Sequence, residues 1–397
     1  MSLTVLAVHT YYQQPGGEDQ VFAAERDLLE AHGNRVITFT ADNQQIEQMN
    51  SVSTAATTIW SRSAYRELRA LVRLHRPDVV HFHNTFPLIS PAAYYAAHAE
   101  GVPVVQTLHN FRLVCPAATL FRSGAPCEDC VGRMVAWPGV LHGCYRGSRS
   151  ATAGVTAMLA GHRLAGTWNR AVDRYIALTA FARDRLIAGG LPAERVVVKP
   201  NFVSSGIDVG RHQGGYALFV GRLAPEKGIG TLLDAWSRQP GERRLKIVGD
   251  GPLAGSVASA AARMPGLEWL GRRERSEVIE LIQDAAMLVF PSAWYEGFPM
   301  VIAEAYAAGL PIIASRLGSM TSLIRDGETG LHVRPCDAAD LAAKMTWLFD
   351  HPEVRERMGR AARHLFEDDY APEKNYRLLM DIYRDVISER TAGRSRS

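Results

Sequence analysis

The sequence predicts an α/β protein built from two Rossmann-like, doubly wound domains. Strand-like and helix-like patterns alternate along almost the whole chain, which is typical of right-handed βαβ units with parallel sheets. The chain has 397 residues, 47% of them apolar, which is more than one ordinary hydrophobic core requires. The polar, glycine-containing stretch 203–215 has no apolar period and predicts a connection between two domains.

Short apolar runs bounded by polar residues or glycine predict the strands of both sheets. In the first half they are Leu3–Val8, Arg35–Phe39, Val79–Phe82, Val104–Leu108, Tyr175–Leu178 and Val196–Val198. In the second half they begin at Tyr216, Leu245, Leu267, Met287 and Pro311. We therefore expect a first domain at 1–204, a linker at 205–215 and a second domain at 216–370.

The last segment, 371–397, is predicted to hold a helix followed by a basic tail. The tail, Ser388–Ser397, contains several arginines and no apolar period, so we expect it to be frayed. The formal net charge of +3 does not indicate a dedicated nucleic-acid binder. Leu3–Val8 has the length of a strand and not of a leader peptide, and no run approaches the ~20 apolar residues of a membrane span. These features predict a cytoplasmic protein.

The segment Tyr295–Glu304 is the most informative part of the chain. Leu288–Pro291 predicts a buried strand, and Met300–Ala308 predicts the helix that follows it. The first N–H groups of such a helix have no intrahelical partner, so Met300 and Val301 would face an anion. The turn between strand and helix is formed by Gly297, Phe298 and Pro299.

Two glutamates flank this turn. Glu296 precedes it and Glu304 lies about two helical turns beyond it, so the two carboxylates should reach different parts of one ligand. A ligand with hydroxyl groups on either side of a phosphate meets that requirement. A nucleotide sugar has such hydroxyl groups, on its ribose and on its hexose, and the phosphates between them.

Three further segments lie at predicted strand-to-helix connections, where open α/β sheets bind ligands. The loop after the strand at Tyr216 carries Arg222 and Lys227, two cations that can hold a diphosphate. A tight turn after the strand at Leu245 contains Gly249 and Gly251, which let a ligand approach the backbone. Gly16 and Gly17 precede a helix predicted at Asp19–Ala31.

Glu296 and Glu304 are separated by seven residues. Together with the three segments above, this spacing resembles the signature of the retaining family-four glycosyltransferases. The resemblance implies the GT-B fold, in which two Rossmann-like domains face each other across a cleft. It further implies that the C-terminal helix, predicted at Pro372–Ser388, packs back on the first domain. It also implies transfer of a hexose from a UDP- or GDP-hexose to a saccharide or lipid-linked saccharide, without a catalytic cofactor or metal ion. In that family Glu304 would contact the ribose and Glu296 the hexose, and the setting would be bacterial surface polysaccharide.

The histidines near the predicted strand ends are a second set of candidates. The family resemblance implies that His109, at the end of Val104–Leu108, faces the donor sugar. His81 and His83, with Asn84, end the preceding strand and are predicted either to line the same cleft or to pack together. No carboxylate or third histidine stands near them at ligand spacing, so they do not predict a metal site.

Other classes of protein share parts of this pattern. A nucleotide-sugar epimerase or a phosphorylase has the same architecture, but it does not need Arg222, Lys227, Glu296 and Glu304 together. A two-domain sugar-binding protein is the non-enzymatic alternative, and it does not need a diphosphate clamp. Stabilisation by UDP or GDP would favour the transferase, whereas stabilisation by free sugar alone would favour the binding protein.

One predicted helix carries a stripe of arginines. They are Arg62, Arg66, Arg69, Arg73 and Arg76. Their spacing of three and four places them on one face, opposite an apolar face. Two interpretations stay open, a solvated surface or attachment to the anionic inner face of a membrane.

Four cysteines lie close together in an insertion predicted at 110–150. They are Cys115, Cys127, Cys130 and Cys144. Disulfides are rare in cytosolic proteins, so a structural zinc site and buried free thiols are both open hypotheses.

Overall fold

The computed structural model describes residues 2–13, 16–204 and 206–394. The chain divides into two compact units. Unit 1 comprises the chain up to Leu120, Cys127–Asn201 and the chain from Glu373 onward. Unit 2 comprises Phe121–Pro126 and Phe202–Pro372.

The strands and helices alternate as the sequence predicts. The strands are β1 (Thr4–Tyr11), β2 (Arg35–Asp42), β3 (Val79–Phe82), β4 (Val104–Leu108), β5 (Phe121–Arg122), β6 (Ala125–Pro126), β7 (Arg174–Ala177), β8 (Val196–Val198), β9 (Tyr216–Val220), β10 (Arg244–Val248), β11 (Leu267–Gly271), β12 (Met287–Phe290), β13 (Ile312–Ser315) and β14 (Gly330–Val333). The helices are α1 (Gly17–Ala31), α2 (Ser51–Ile59), α3 (Arg62–His75), α4 (Ala92–Ala99), α5 (Trp137–His142), α6 (Arg149–Leu164), α7 (Thr167–Arg170), α8 (Ala180–Ala188), α9 (Ile229–Trp236), α10 (Ala254–Ala261), α11 (Arg275–Asp284), α12 (Met300–Ala307), α13 (Met320–Leu323), α14 (Ala338–Asp350), α15 (Pro352–Leu365) and α16 (Pro372–Arg394). Strands β5, β6 and β14 are absent from the sequence prediction.

Unit 1 contains a parallel sheet with the order β2-β1-β3-β4-β7-β8. The order reverses between β1 and β3, so the ends of these two strands mark a topological switch point. All residues of β3, and all residues of β1 except its two ends, are buried, as expected for a sheet covered on both faces. Part of the core of unit 1 is formed by the last helix: Leu379, Met380, Tyr383 and Val386 of α16 pack against residues of this sheet.

Unit 2 contains a second parallel sheet with the order β11-β10-β9-β12-β13-β14. This is the strand order 3-2-1-4-5-6 of a doubly wound Rossmann-like sheet, with its switch point between β9 and β12. Its buried core includes Phe219 of β9, Ile247 of β10 and Val289 of β12. Strands β5 and β6 form a short antiparallel hairpin that belongs to unit 2, although the flanking chain belongs to unit 1.

The end of the chain differs from the prediction. The prediction of a frayed tail from Ser388 is wrong for 388–394, because helix α16 continues to Arg394. The remaining residues of the predicted tail, 395–397, lie outside the described residues. The helix extends because 388–394 contains neither proline nor any other strong helix breaker before Gly393. Among the described residues, no helix combines the length and the apolar character needed to span a membrane.

Candidate functional site

The loop after β9 is held against the loop after β10 in unit 2. The Gly221 amide donates to the Val248 carbonyl at 3.0 Å, and the Leu223 amide donates to the Asp250 carbonyl at 2.9 Å. Gly249 has φ of +136°, and a Cβ there would lie 1.9 Å from the Gly221 oxygen. Any side chain at this position would separate the two loops, so the predicted turn at Gly249 is a packing requirement. Gly251 lies in the same turn.

The loop after β9 also contacts the loop after β12. The Ala293 amide donates to the Glu226 carbonyl at 2.8 Å. A Cβ on Gly228, which has φ of +73°, would lie 1.9 Å from the Pro291 oxygen. These contacts place the predicted cationic loop beside the segment that carries Glu296, at the switch point of the sheet.

Lys227 and Glu296 form an ion pair at the centre of this region. The Lys227 Nζ lies 2.7 Å from Glu296 Oε1, and the side chains are 18% and 7% exposed. The Ser292 hydroxyl donates to the same oxygen at 2.5 Å. Among the described residues, no hydrogen bond is made to Glu296 Oε2, which leaves that oxygen to accept from a ligand. A lysine ammonium has three N–H donors, so Lys227 keeps two for another partner.

Arg222 lies on the same loop but faces a different partner. Its guanidinium pairs with the Glu226 carboxylate and is 57% exposed. The pair joins residues four apart within one loop. Arg222 is therefore close to Lys227 along the chain, and its guanidinium is the solvated one of the two predicted cations.

The segment 297–304 has the predicted turn and helix, and it follows strand β12. Pro299 is the extended N-cap of α12, and no side chain in the described part of the chain caps this helix end. The amides of Met300 and Val301 stand at its first turn, where the helix dipole favours an anion. Phe298, after Gly297, is 7% exposed and contacts the ring of Tyr370, so the turn is anchored by packing.

Glu304 is buried in α12, two turns from Glu296. Its Oε1 lies 3.3 Å from Arg275 Nη2 on α11. Burial raises the pKa of the Glu304 carboxyl, and the Arg275 charge lowers it in part. A ligand hydroxyl would find in Glu304 an acceptor that is already oriented by Arg275.

The hairpin formed by β5 and β6 borders the Lys227 region of unit 2. Phe121 makes an edge-on contact with the Trp294 ring, with the two centroids 6.4 Å apart. The Lys227 ammonium lies 5.2 Å from the centroid of the same Trp294 ring. The predicted insertion 110–150 is therefore divided, because its residues 121–126 pack in unit 2.

In unit 1, the predicted glycines lie at the beginning of α1. Gly16 is the N-cap and Gly17 the first helical residue, so α1 begins two residues before the predicted start at Asp19. The Asp19 carboxylate accepts from the Gly16 amide at 2.8 Å and lies 2.7 Å from His9 Nε2. A Cβ on Gly16 would meet no atom of the described residues within 4 Å.

His109 follows β4 at the edge of a small cavity in unit 1. The cavity has a volume of ≈ 40 Å³, enough for a few water molecules, and is lined in part by Tyr12, His83, His109, Asn110 and Arg112. The His109 Nε2 lies 3.1 Å from His83 Nδ1. Burial lowers the pKa of the His109 imidazole well below its usual value, and the neighbouring His83 lowers it further.

The sequence-based exclusion of a carboxylate near His81 and His83 is wrong. Glu25 of α1 places Oε1 3.0 Å from His81 Nδ1 and 3.2 Å from His83 Nε2. Among the described residues, these three side chains form the one group with the spacing of a metal site. However, the Lys199 ammonium lies 3.0 Å from Glu25 Oε2 with both groups buried, and this charge opposes binding of a cation.

The predicted four-cysteine zinc site is not supported. Tetrahedral zinc at ~2.3 Å from each sulfur would bring the thiolates to within about 4 Å of one another. Among the described residues, no three of the cysteine sulfurs lie within 4.8 Å of one another. The cysteines of the described residues form no disulfide, and the Cys130 thiol donates to the Ala136 carbonyl at 3.9 Å. Burial raises the pKa of Cys130 to about 11, so that thiol is neutral.

The arginine stripe is confirmed as a helical feature but is partly neutralised. Arg62, Arg66, Arg69 and Arg73 lie on α3, and Arg76 is its C-cap residue. Both Arg69 and Arg73 bond with the Glu100 carboxylate, at 2.5 Å and 2.9 Å.

Several residues of these sites escaped the sequence analysis. Ser292 and Arg275 orient the two predicted glutamates, and Ser319 donates to the Glu296 carbonyl at 2.8 Å. Glu25 and Lys199 are 174 residues apart. A single serine or arginine in a loop has no distinguishing spacing, so no sequence signal identified them.

Two family models match the chain. The model described as "Glycosyltransferase Family 4" matches residues 11–205, and "Glycosyl transferases group 1" matches residues 209–365. A D-inositol 3-phosphate glycosyltransferase from Acidothermus cellulolyticus is 30% identical over 340 residues, which cover 79% of this chain and 68% of that protein.

Two other relatives are matched over less of their length. An uncharacterized glycosyltransferase from Methanocaldococcus jannaschii is 28% identical over 54% of this chain and 60% of that protein. A glycogen synthase from Mycobacterium tuberculosis is 29% identical over 75% of this chain and 66% of that protein. The chain thus spans somewhat less than two thirds of these two relatives.

Solved structures resemble the chain along nearly all of its length. Sucrose-phosphate synthase from Thermosynechococcus elongatus has a TM-score of 0.72 at 17% identity, covering 97% of this chain and 100% of that chain. HepE from Anabaena in complex with UDP has a TM-score of 0.68 at 17% identity, with the same coverage. At this identity the likeness shows the fold, which is GT-B.

Proposed function

Because the chain belongs to the group 1, family-four glycosyltransferases, we propose that it transfers a hexose from a nucleoside-diphosphate sugar to a saccharide or lipid-linked saccharide. The observation that carries the proposal is the Lys227–Glu296 ion pair at the switch point of unit 2, next to the uncapped end of α12. The pair places a cation for phosphate and a carboxylate for hydroxyls side by side.

Binding of the diphosphate is assigned to the cationic groups of unit 2. Lys227 has two free N–H donors beyond its bond with Glu296, and the Met300 and Val301 amides add the positive end of a helix dipole. Arg222 is exposed and can exchange Glu226 for a phosphate at small cost, since surface ion pairs are weak. Together these groups would stabilise the charge that grows on the departing nucleoside diphosphate.

Binding of the sugars is assigned to the two glutamates and to His109. Glu296 Oε2 would accept from hydroxyls of the hexose, because Oε1 is occupied by Lys227 and Ser292. Glu304, oriented by Arg275, would accept from the ribose. His109, whose lowered pKa keeps its imidazole neutral, would hydrogen-bond with a sugar hydroxyl.

We further propose that transfer retains the configuration of the donor and needs no divalent ion. The family resemblance supports retention. The charge of Lys227, Arg222 and the α12 amides supports metal independence, because it supplies the stabilisation that Mg²⁺ provides in other transferases. HepE is a complex with UDP, so UDP-hexoses are the first donors to examine, followed by GDP-hexoses.

Slow donor hydrolysis tests the transferase proposal before an acceptor is known. Purified protein is incubated with a panel of UDP- and GDP-hexoses with and without EDTA, and release of nucleoside diphosphate is measured. We expect one donor to be hydrolysed at the same rate with EDTA, with the sugar released initially in the donor's configuration by NMR. No release from any donor, together with no thermal stabilisation by UDP or GDP, would refute the proposal and favour a sugar-binding protein.

Attachment to an anionic membrane surface is proposed for α3, with a role in surface polysaccharide synthesis at the inner face. Arg66 of this helix and the exposed Leu74 support it, whereas Glu100 already neutralises part of the charge of Arg69 and Arg73. Sedimentation with vesicles containing anionic lipid is expected at low salt and is expected to be lost at high salt, since exposed charges are screened. Binding that is insensitive to salt would contradict this mode of attachment.

A further inference from the structure

The environment of His109 sets which of its two ring nitrogens carries the proton. His83 lies between His109 and the carboxylate of Glu25, with its Nδ1 3.1 Å from His109 Nε2 and its Nε2 3.2 Å from Glu25 Oε1. The two imidazoles are nearly parallel, with an interplanar angle of 20°. Three side chains from α1 and from the ends of β3 and β4 therefore form one continuous row.

The carboxylate at the inner end of the row is fixed in its ionised form. Glu25 is 2% exposed, and its Oε2 accepts from the Lys199 ammonium at 3.0 Å. Lys199 also donates to Asn375 Oδ1 at 2.8 Å, and Asn375 Nδ2 donates to the Pro200 carbonyl. Burial raises the pKa of Glu25, but Lys199 and then the two histidines outweigh it and hold that pKa well below its usual value.

Both imidazoles of the row are neutral near pH 7. Burial lowers the pKa of His83 to about 4, helped by His81, and burial also lowers the pKa of His109. Each ring therefore carries one proton on one of two nitrogens. Glu25 Oε1 lies 3.2 Å from His83 Nε2, although no aligned hydrogen bond joins the two atoms among the described residues. At this distance the charge of the carboxylate repels a nitrogen lone pair and attracts an N–H dipole, so the proton belongs on His83 Nε2.

The position of this proton determines the rest of the row. With Nε2 protonated, His83 Nδ1 has a lone pair and accepts from His109 Nε2–H across 3.1 Å. The proton of His109 is then on Nε2, and its Nδ1 has a lone pair. Within the described residues, His109 Nδ1 has no hydrogen-bond partner, so this lone pair is left for a ligand.

We propose that Glu25 and His83 are positioning residues that hold His109 in the Nε2-protonated tautomer, so that its Nδ1 accepts a hydrogen bond from a hydroxyl of the bound sugar. The role in sugar binding rests on the proposed function, whereas the tautomer is a property of the free protein. A ligand that offers only an acceptor at this position, such as a deoxyfluoro sugar, would face the lone pair and bind poorly.

Nitrogen NMR of protein labelled with ¹⁵N-histidine tests the tautomer directly, without substrate. Two-bond ¹H–¹⁵N spectra at pH 7 are recorded for the unmodified protein, and the His109 signals are assigned by their loss in His109→Gln. We expect a protonated Nε2 and an unprotonated Nδ1. A protonated Nδ1, or protons on both nitrogens, would overturn the proposal.

Glu25→Gln tests the direction of control. A glutamine amide can donate to His83 Nε2, which would move the His83 proton to Nδ1 and the His109 proton to Nδ1 as well. We expect the His109 tautomer to invert and donor turnover to fall about tenfold, the effect of one misplaced hydrogen bond. An unchanged His109 tautomer in folded Glu25→Gln would overturn control by Glu25.

Tyr383→Phe is the matched control for the same cluster. It removes the 2.7 Å contact between the Tyr383 hydroxyl and His81 Nδ1 but leaves the Glu25–His83–His109 row intact. We expect the His109 tautomer to stay as in the unmodified protein. Because the spectra need no donor, an absent transferase activity would refute the proposed function without affecting the tautomer result. Equally, an Nδ1-protonated His109 would overturn the tautomer proposal without affecting the proposed function. If Glu25→Gln does not fold, the spectra of the unmodified protein still decide the tautomer.

Discussion

Removal of the Lys227 ammonium is the most informative test of the donor site. In unit 2 this group is 18% exposed, 2.7 Å from Glu296 and on the loop held against β12 by Gly228. At an effective dielectric constant near 20, a charge ~4 Å from a phosphate oxygen gains about 4 kcal/mol, and loss of its own hydration reduces this. Lys227→Ala should therefore cost about 2 to 4 kcal/mol in transition-state stabilisation, or about 30- to 1000-fold in kcat/KM.

The assay for Lys227→Ala separates catalysis from stability. Glu296 would lose a buried partner, so the free energy of unfolding of the variant should fall by about 1 to 3 kcal/mol. Its melting temperature should fall accordingly. Circular dichroism establishes the folded fraction, and kcat/KM for donor hydrolysis is compared at equal folded concentration. Lys246→Ala is the matched control, since Lys246 of β10 contacts the Tyr216 ring of β9 and its loss should leave kcat/KM unchanged. A folded Lys227→Ala protein with near-normal kcat/KM would refute the assigned role.

Three further predictions concern stability. Lys199→Met should lower the free energy of unfolding by about 3 to 5 kcal/mol, because it leaves the buried Glu25 carboxylate without its cation. Chemical denaturation measures this change, and a loss below about 1 kcal/mol would contradict the pairing. The free energy of unfolding should fall as the pH drops from 6.5 towards 4, by up to about 3 kcal/mol for His83 alone. The pKa of His83 is about 4 in the folded protein, below its value in the unfolded chain. The unfolded chain therefore binds the proton first, and protonation favours unfolding. Glu25 acts in the same direction below pH 4.5, so a melting temperature that is constant between pH 7 and 4 would argue against this cluster. Gly228→Ala should destabilise unit 2, because its Cβ would meet the Pro291 oxygen at 1.9 Å, and normal thermal unfolding of this variant would contradict the loop packing.

The fold was predictable from sequence because its strands are short apolar runs with clear boundaries. Leu288–Pro291 and Val104–Leu108, for example, lie within one residue of β12 and β4. Strand β14 was missed because Gly330–Val333 contains a glycine and a histidine among only four residues. Local patterns thus identified most of both sheets.

The candidate sites were predictable only where their residues are close in the chain or in adjacent loops. Lys227 and Glu296 follow neighbouring strands, so sheet topology alone suggests their proximity. Glu25, His83 and Lys199 come from an early helix, a strand end and a distant loop, and only packing brings them together. Neutral histidines and a paired carboxylate have no characteristic spacing in a sequence. The tautomer of His109 therefore could not be predicted from the sequence.

The distribution of unit 1 along the chain limits how this protein can be recombined with its relatives. Helix α16 supplies Leu379, Met380 and Tyr383 to the core of unit 1, although it follows unit 2 in sequence. A chimera with a single crossover near residue 202 would join the sheet of one parent to the last helix of the other, with mismatched core side chains. Exchanges that carry α16 along with residues 1–201, by a second crossover near 372, should give far more folded products.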